Sequence, residues 1–102
     1  DGWTWRKWAS GCCELDGKKD AVSFSSLSQS GNIYYAQTGA WTFPFPLTEV
    51  NTATFGFLST AGNVFMWGEK ASTTGIGNSF IGRGNSAAVA GTPSVHITGK
   101  WR

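Results

Sequence analysis

Residues 93–101 read PSVHITGKW, and this stretch decides the class of fold that the rest of the chain is expected to share. One face of an extended segment carries the apolar side chains of Val95, Ile97 and Trp101. The opposite face carries polar side chains, namely those of Ser94, His96, Thr98 and Lys100. A period of two residues is typical of a β-strand with one buried face, so the stretch predicts a strand that covers a core.

The rest of the chain carries strand signals as well, whereas helix signals are nearly absent. No stretch keeps apolar residues at helical spacing for three turns, and glycine recurs every few residues. Further strands are predicted at residues 3–9, 12–15, 21–25, 33–39, 52–59 and 64–70. Turns are predicted at Ser10-Gly11, Asp16-Gly17 and Ala61-Gly62-Asn63. We therefore predict an all-β, jelly-roll-like antiparallel sandwich of about six to eight short strands, with residues 1–102 as one domain.

Two stretches, residues 71–79 and 82–91, are rich in Gly, Ser, Thr, Asn and Ala. This composition predicts long surface loops on either side of the apolar pair Phe80-Ile81. The sequence GIGNSFIGRG at residues 75–84 has glycines like those of a phosphate-binding loop. However, no Gly-Lys-Ser/Thr follows it and no helix is predicted beside it, so its glycines indicate turns.

The segment FPFPL, residues 43–47, is unusual in a chain of strands. Proline cannot donate to a strand ladder, so its two prolines exclude a central strand and favour an edge. Alternation directs both phenylalanines and Leu47 to one side of the segment. That apolar side either packs on the core of its own chain or contacts a neighbouring chain, and the sequence leaves both alternatives open.

Aromatic residues are abundant, with six Trp, seven Phe and two Tyr among 102 residues. Each large ring can bury about 150–250 Å² of surface. Fifteen such rings, summed over those three types, exceed what a single core of this size needs. Some of them are therefore expected to face a ligand or another chain.

Charge and cysteine usage disfavour several classes of function. The net charge is only +2 and the basic residues are scattered, so a nucleic-acid surface is not expected. Cys12 and Cys13 are adjacent and point to opposite faces of an extended segment, which disfavours both a disulfide scaffold and a zinc site. No run of roughly 18 apolar residues is present, so no membrane insertion is expected. We expect neither a metal ion nor another cofactor.

Residues for catalysis are sparse. His96 is the single histidine, and no nucleophile elbow accompanies it. No pattern brings two of the carboxylates together as a hydrolytic pair. The sequence therefore predicts a protein that is not an enzyme, with no catalytic residue, although a glycan hydrolase or esterase that uses Glu69 or His96 remains an alternative.

Binding of sugars is the positive signal, because flat apolar sugar faces suit aromatic rings beside polar side chains. The candidate ligand-binding residues lie in or near the predicted loops, and they are Trp67, Glu69, Lys70, Asn78, Arg83 and Asn85. Core packing of Trp67 in its strand is the alternative interpretation.

Three segments in order resemble one known domain. WTWRKWASG followed by CCEL resembles the opening W-x-x-R-K-W-x-S-G-x-x-E-x-W of a C-terminal domain in phage and prophage tail-fibre, receptor-binding and minor structural proteins of Gram-positive bacteria. FPFPL with Glu49-Val50 resembles its central F-P-F-x-F-x-E-V-P segment, and SVHITGKWR its ending V-x-V-H-A-x-G-R-W-K. The chain departs from the pattern at Cys13, Asp16 and Asn51.

The resemblance implies a homotrimeric fibre tip that ends a longer protein, is made in the host cytoplasm and acts on the virion tail. It implies that framework aromatics pack the core and the threefold contact, and the candidates for that contact are Trp3, Trp5, Phe43, Phe45 and Trp101. Recognition of a host cell-surface polysaccharide would then fall to residues 59–91. A purely structural trimerisation cap and, less favoured, a glycan-degrading tail enzyme are the alternatives.

Overall fold

The computed structural model describes residues 2–59 and 64–102, and in these ranges the chain forms strands and no helix. The strands are β1 (Gly2–Lys7), β2 (Cys12–Lys18), β3 (Val22–Phe24), β4 (Ser28–Ser30), β5 (Ile33–Gln37), β6 (Trp41–Thr42), β7 (Glu49–Ser59), β8 (Phe65–Gly68), β9 (Gly75–Ile76), β10 (Ser79–Arg83) and β11 (Val89–Lys100). Every pairing among them is antiparallel. The predicted all-β antiparallel class is confirmed. The described residues contain more strands than the six to eight predicted, and several of them, namely β3, β4, β6 and β9, have only two or three residues.

Strand β11 holds the larger sheet together. This five-stranded sheet has the order β1-β2-β11-β3, and β7 also pairs with β11. Val95 and Ile97 are buried, at 3% and 0% exposure, whereas the intervening His96 is partly exposed. Buried and partly exposed side chains thus alternate along β11 as the sequence predicts. A second sheet has the order β4-β5-β10-β8, and β6 pairs with β9 in a short ribbon.

The core lies between the five-stranded sheet and the segments around β6 and β9. Its buried members are Cys13, Leu15, Trp41, Phe43, Leu47, Ile76, Val95 and Ile97. The indole of Trp3 meets the rings of Trp41 and Phe43 edge to face, at centroid distances of 5.9 and 5.7 Å. Edge-to-face contact is a favoured geometry for aromatic pairs, so these rings fix the packing of the core as well as fill it.

The Phe-Pro segment packs on its own chain and is not a strand. Phe43 and Leu47 are buried, and their backbone N–H groups donate to the carbonyls of Thr74 and Thr73 at 2.9 and 2.8 Å. Pro44 is exposed, as is the second proline. Of the two alternatives left open by the sequence, packing on the chain's own core holds for Phe43 and Leu47.

The two glycine-containing turns predicted in the N-terminal part had different outcomes. The Ser10-Gly11 turn is confirmed, since Gly11 has φ of 100° and its N–H donates to the Trp8 carbonyl at 3.0 Å. The Asp16-Gly17 turn is wrong, because β2 continues through both residues to Lys18. A Cβ on Gly17 would lie 2.7 Å from Cζ3 of Trp3, so the glycine makes room for an indole. The predicted turn at residues 61–63 lies outside the described residues.

The prediction of long loops at residues 71–79 and 82–91 is wrong in part, although residues 72–74, 77–78 and 84–88 do lie outside the strands. Strands β9 and β10 and the first residues of β11 lie in these stretches, and β10 is an interior strand of its sheet. Ile76 and Val89 are buried there, at 2% and 3% exposure. Small residues in these stretches permit close packing, which composition alone does not distinguish from loop formation.

The two cysteines lie on opposite faces of β2, as predicted, and both are free thiols. Cys12 is exposed and Cys13 is buried in the core. Burial raises the pKa of the Cys13 thiol, the neighbouring Cys12 raises it further, and Lys7 opposes the rise. Cys13 therefore acts as a small apolar side chain of the core.

Candidate functional site

The four-stranded sheet carries a row of aromatic rings on its outer face. Trp67 of β8 lies directly opposite Phe80 of β10, and Phe65 lies opposite Gly82. The rings of Phe65 and Trp67 are stacked, with centroids 5.2 Å apart, and so are those of Trp67 and Phe80, with centroids 5.6 Å apart. We call these three side chains the ring stack.

Gly82 sets the arrangement of the ring stack. A Cβ on this residue would lie 2.7 Å from Cζ3 of Trp67 and 3.1 Å from Cζ of Phe65, so the indole extends across the space above the glycine. Trp67 and Gly82 are diagonal neighbours on the two paired strands, and Phe65 and Phe80 occupy the other two positions of this group of four. The indole of Trp67 is therefore held between two phenyl rings, and its edge, rather than a free face, is presented to a ligand.

A cleft opens beside the ring stack. It has a volume of about 320 Å³ and is lined by Ser30, Ile33, Tyr35, Trp67 and Phe80. Tyr35 meets Phe80 edge to face, with centroids 6.3 Å apart. We call this feature the aromatic cleft. Its volume is at the lower end of the range of about 300–1,000 Å³ that is typical of small-molecule sites.

The surface around the aromatic cleft is apolar and open. Phe65, Ile33 and Trp67 are exposed by 47%, 42% and 36%. Contiguous exposed apolar surface is characteristic of a site that binds a ligand or another molecule. The polar groups at hand are the hydroxyls of Ser30 and Tyr35 and the indole N–H of Trp67, which suit a ligand with both apolar faces and hydroxyl groups.

Three of the predicted ligand-binding residues lie together at one end of β8 and β10. The backbone N–H of Glu69 donates to the carbonyl of Asn78 at 2.9 Å, and Asn78 Oδ1 accepts from the N–H of Ser79 at 2.9 Å. The Glu69 carboxylate lies against Gly77. Lys70 follows Glu69 and is exposed. These residues lie next to Trp67, at one end of the paired strands β8 and β10.

The other two predicted residues lie at the opposite end of β10. Arg83 is buried, at 8% exposure, and its Nη1 donates to the carbonyl of Ala88 at 3.3 Å. Asn85 Oδ1 accepts from the N–H of Ala87 at 3.0 Å. Both side chains thus hold the segment after β10 in place, and the structure does not bring them to the aromatic cleft.

The candidates for the threefold contact divide into two groups. Trp3 contacts the buried core and Phe43 is part of it. Trp5 is exposed by 52% and meets Phe45 edge to face at 5.7 Å. The ammonium of Lys7 lies 4.1 Å from the centroid of Phe45 and 4.9 Å from that of Trp101. We call Trp5, Phe45 and Trp101, with Lys7, the end cluster.

His96 is not isolated, although no partner for it was predicted from the sequence. Its Nδ1 lies 2.6 Å from Oδ1 of Asp16, and both side chains are partly exposed. Glu69 directly follows β8, a strand of the other sheet. Within residues 2–59 and 64–102, no group of three or more His, Cys, Asp or Glu side chains is arranged to hold a metal ion.

Sequence reasoning selected Trp67 but missed its partners. Tyr35, Phe80, Ile33 and Phe65 complete the site, and they come from three different strands. Alternation within IYYAQ does place Ile33 and Tyr35 on one face, which is the one signal that pointed to them. Cross-strand pairing, which brings Phe80 opposite Trp67, is not encoded in any local pattern.

Comparisons with known proteins add no relative. No protein-family model matches the chain, and no curated protein or solved structure matches it significantly. In the described part of the chain, there is no helix of the length and apolarity needed to cross a membrane.

Proposed function

We propose that this domain binds a saccharide of a bacterial cell surface through the aromatic cleft, as the tip domain of a phage tail fibre. The observation that carries the binding proposal is the open cleft whose rings are fixed by stacking against one another. The assignment to a tail fibre rests on the resemblance of the WTWRKWASG, FPFPL and SVHITGKWR segments to the phage domain.

Rigid rings favour this role. A sugar ring has an apolar C–H face that packs on an aromatic surface, and hydroxyls around its rim that need partners. Phe80 and Tyr35 supply the apolar surface, and Ser30 supplies a hydroxyl at the border of the cleft. Because the rings are already packed against each other, little side-chain freedom is lost when a ligand binds.

The proposal does not require tight binding at one site. A millimolar dissociation constant corresponds to about 4 kcal/mol of binding free energy. Several linked sites that engage one surface together bind far more tightly than each site alone. Assembly of the domain into a homotrimer, which the resemblance implies, would supply such linkage.

The end cluster supports the trimer proposal. Trp5 is an exposed indole that meets Phe45 edge to face, and the Lys7 ammonium lies over the rings of Phe45 and Trp101. Burying it against a second copy would contribute about 1.5–3 kcal/mol. We expect the purified domain to have three times the chain mass in light scattering, and Trp5→Glu to shift the mass towards that of one chain. A wild-type domain that stays monomeric at all concentrations would contradict the trimer.

A blocked cleft tests the binding proposal. Ser30 lines the cleft from an exposed position, so Ser30→Trp should fill the cleft without disturbing the core. Gln29→Trp places the same ring on the same strand but on the opposite face, and is the matched control. On an array of Gram-positive cell-wall polysaccharides, we expect Ser30→Trp to lose at least tenfold in binding and Gln29→Trp to keep wild-type binding.

Two outcomes would refute saccharide binding at the cleft. One is equal binding by Ser30→Trp and the wild-type domain. The other is a trimeric wild-type domain that binds no polysaccharide of the array, which would favour a structural cap. Release of reducing sugar by the pure domain would instead favour a glycan-degrading enzyme.

A further inference from the structure

A second concave surface lies on the larger sheet, on the face away from the core. This groove has a volume of about 640 Å³ and crosses strands β1, β2, β11 and β7. The volume is in the middle of the range of about 300–1,000 Å³ that is typical of ligand sites. Side chains in the groove, such as those of Asp16 and His96, alternate with buried Leu15, Val95 and Ile97, which places the groove on the polar face.

Two rows of residues border the groove. One row, with its members opposite one another on neighbouring strands, consists of Thr4, Asp16, His96 and Thr54. The other row consists of Gly2, Lys18, Ser94 and Gly56. The two glycines at the ends of the second row carry no side chain, so this border is low at its ends and is formed by Lys18 and Ser94 in its middle. The backbone of the row between them, which includes Gly17 and Val95, forms the floor.

The polar groups of the groove are oriented by contacts within the sheet. Because the Asp16 carboxylate only accepts hydrogen bonds, Nδ1 of His96 is the donor in their 2.6 Å contact. In the neutral imidazole, Nε2 is then an acceptor. The Ser94 hydroxyl donates to the Gly56 carbonyl at 3.2 Å, which leaves its oxygen free to accept. Lys18 adds an ammonium with three donors.

Donors and acceptors are mixed in this groove, and its charges balance. One carboxylate, Asp16, faces one ammonium, Lys18, across its width, so neither an anion nor a cation is favoured over the whole site. Each hydroxyl of a sugar donates and accepts at once, which matches such a mixture. We propose that the groove is a second binding site and that its ligand is a neutral oligosaccharide.

The groove suits an extended ligand. Four adjacent strands with a spacing of about 4.8 Å span ~14 Å between the outermost strand axes. That length is sufficient for several linked sugar rings lying across the strands. The groove and the aromatic cleft are on different sheets and share no lining residue, so each site can fail or bind independently.

A steric block again provides the test. Thr54 borders the groove and is exposed, so Thr54→Trp should fill it. Leu58→Trp is the matched control, because Leu58 is on the same strand and the same face, is exposed by 80%, and does not line the groove. His96→Ala is a second variant that removes the acceptor Nε2 without adding bulk.

The probes are maltotriose, cellotriose and N-acetylchitotriose as neutral ligands and a galacturonic acid trimer as the charged comparison. In amide chemical-shift titrations, we expect at least one neutral trisaccharide to shift Thr54, Ser94 and His96 in a saturable manner. Thr54→Trp and His96→Ala should weaken that binding at least tenfold, whereas Leu58→Trp should change it less than twofold.

Several results would overturn the proposal. These are the absence of a groove response to every neutral trisaccharide, undiminished binding by Thr54→Trp, or tighter binding of the galacturonic acid trimer. Shifts confined to Tyr35, Trp67 and Phe80 would support the aromatic cleft and overturn the groove. Shifts confined to the groove would support the groove alone and would leave the cleft to be decided by the polysaccharide array, so the two proposals are separable.

Discussion

Gly82→Ala tests whether the ring stack depends on a missing side chain. The added methyl group would lie 2.7 Å from Cζ3 of Trp67 and 3.1 Å from Cζ of Phe65, well inside normal contact. Gly82 is not among the glycines with positive φ, so the backbone itself accepts alanine. The effect of the substitution is therefore one of space alone.

The expected cost follows from the two ways in which the rings can respond. If the indole stays, overpacking costs about 1–3 kcal/mol. If it swings out, two stacked contacts worth about 0.5–1.5 kcal/mol each are lost. Alanine restricts the unfolded chain and returns about 0.4–1 kcal/mol. We expect a net loss of about 1–2 kcal/mol, which corresponds to a fall in melting temperature of roughly 4–16 °C for a domain of this size.

The assay is thermal unfolding at fixed protein concentration, with near-ultraviolet circular dichroism as a report on the packing of the aromatic side chains. Gly84→Ala is the matched control, because nothing lies within 4 Å of a Cβ at that nearby position. We expect Gly84→Ala to keep the wild-type aromatic signal and to melt at or slightly above the wild-type temperature, because it restricts the unfolded chain without a collision. Suppose that Gly82→Ala had the same melting temperature as Gly84→Ala and kept the wild-type aromatic signal. The proposed role of Gly82 would then be refuted, and so would the confinement of the Trp67 indole.

Three further changes address the core and the cysteines. Leu15→Ala, at a position with 0% exposure, should cost about 2–5 kcal/mol in urea unfolding, and a cost below 1 kcal/mol would contradict its place in the core. Gly17→Ala should lower stability by about 1–3 kcal/mol through its collision with Trp3, and an unchanged urea midpoint would restore the turn interpretation. In the native protein at neutral pH, iodoacetamide should modify exposed Cys12 alone, because burial keeps Cys13 covered and raises its pKa; two adducts per chain by mass spectrometry would contradict this.

The pattern of polar and apolar residues predicted which face of a strand is buried, because this feature depends on the sequence of that strand alone. Val95 and Ile97 alternate with His96 because each strand buries one face, and this requires no knowledge of the neighbouring strands. Glycine was the main source of error. Gly11 permits a turn, whereas Gly17 makes room for an aromatic ring, and the sequence contains the same residue in both places.

The candidate sites were predictable only in part, for a related reason. Trp67 was identified as a single residue, but the cleft requires Phe80 opposite it and Tyr35 one strand further away. The contact between Asp16 and His96 likewise depends on the pairing of β2 with β11, 80 positions apart in sequence. The register between distant strands is set by tertiary packing, so local sequence patterns could not predict which residues lie opposite one another.

The pairing of β11 with β2, β3 and β7 also constrains when the protein can fold. During synthesis, β2 and β7 emerge from the ribosome long before residues 89–100. Until then β7 lacks its partner strand, and β2 can pair only with β1, which leaves its other edge open. The nascent chain therefore carries open edges that are prone to association, and the larger sheet closes only once β11 has been released. Late closure of this kind makes the yield of folded domain sensitive to any change that shortens or breaks β11.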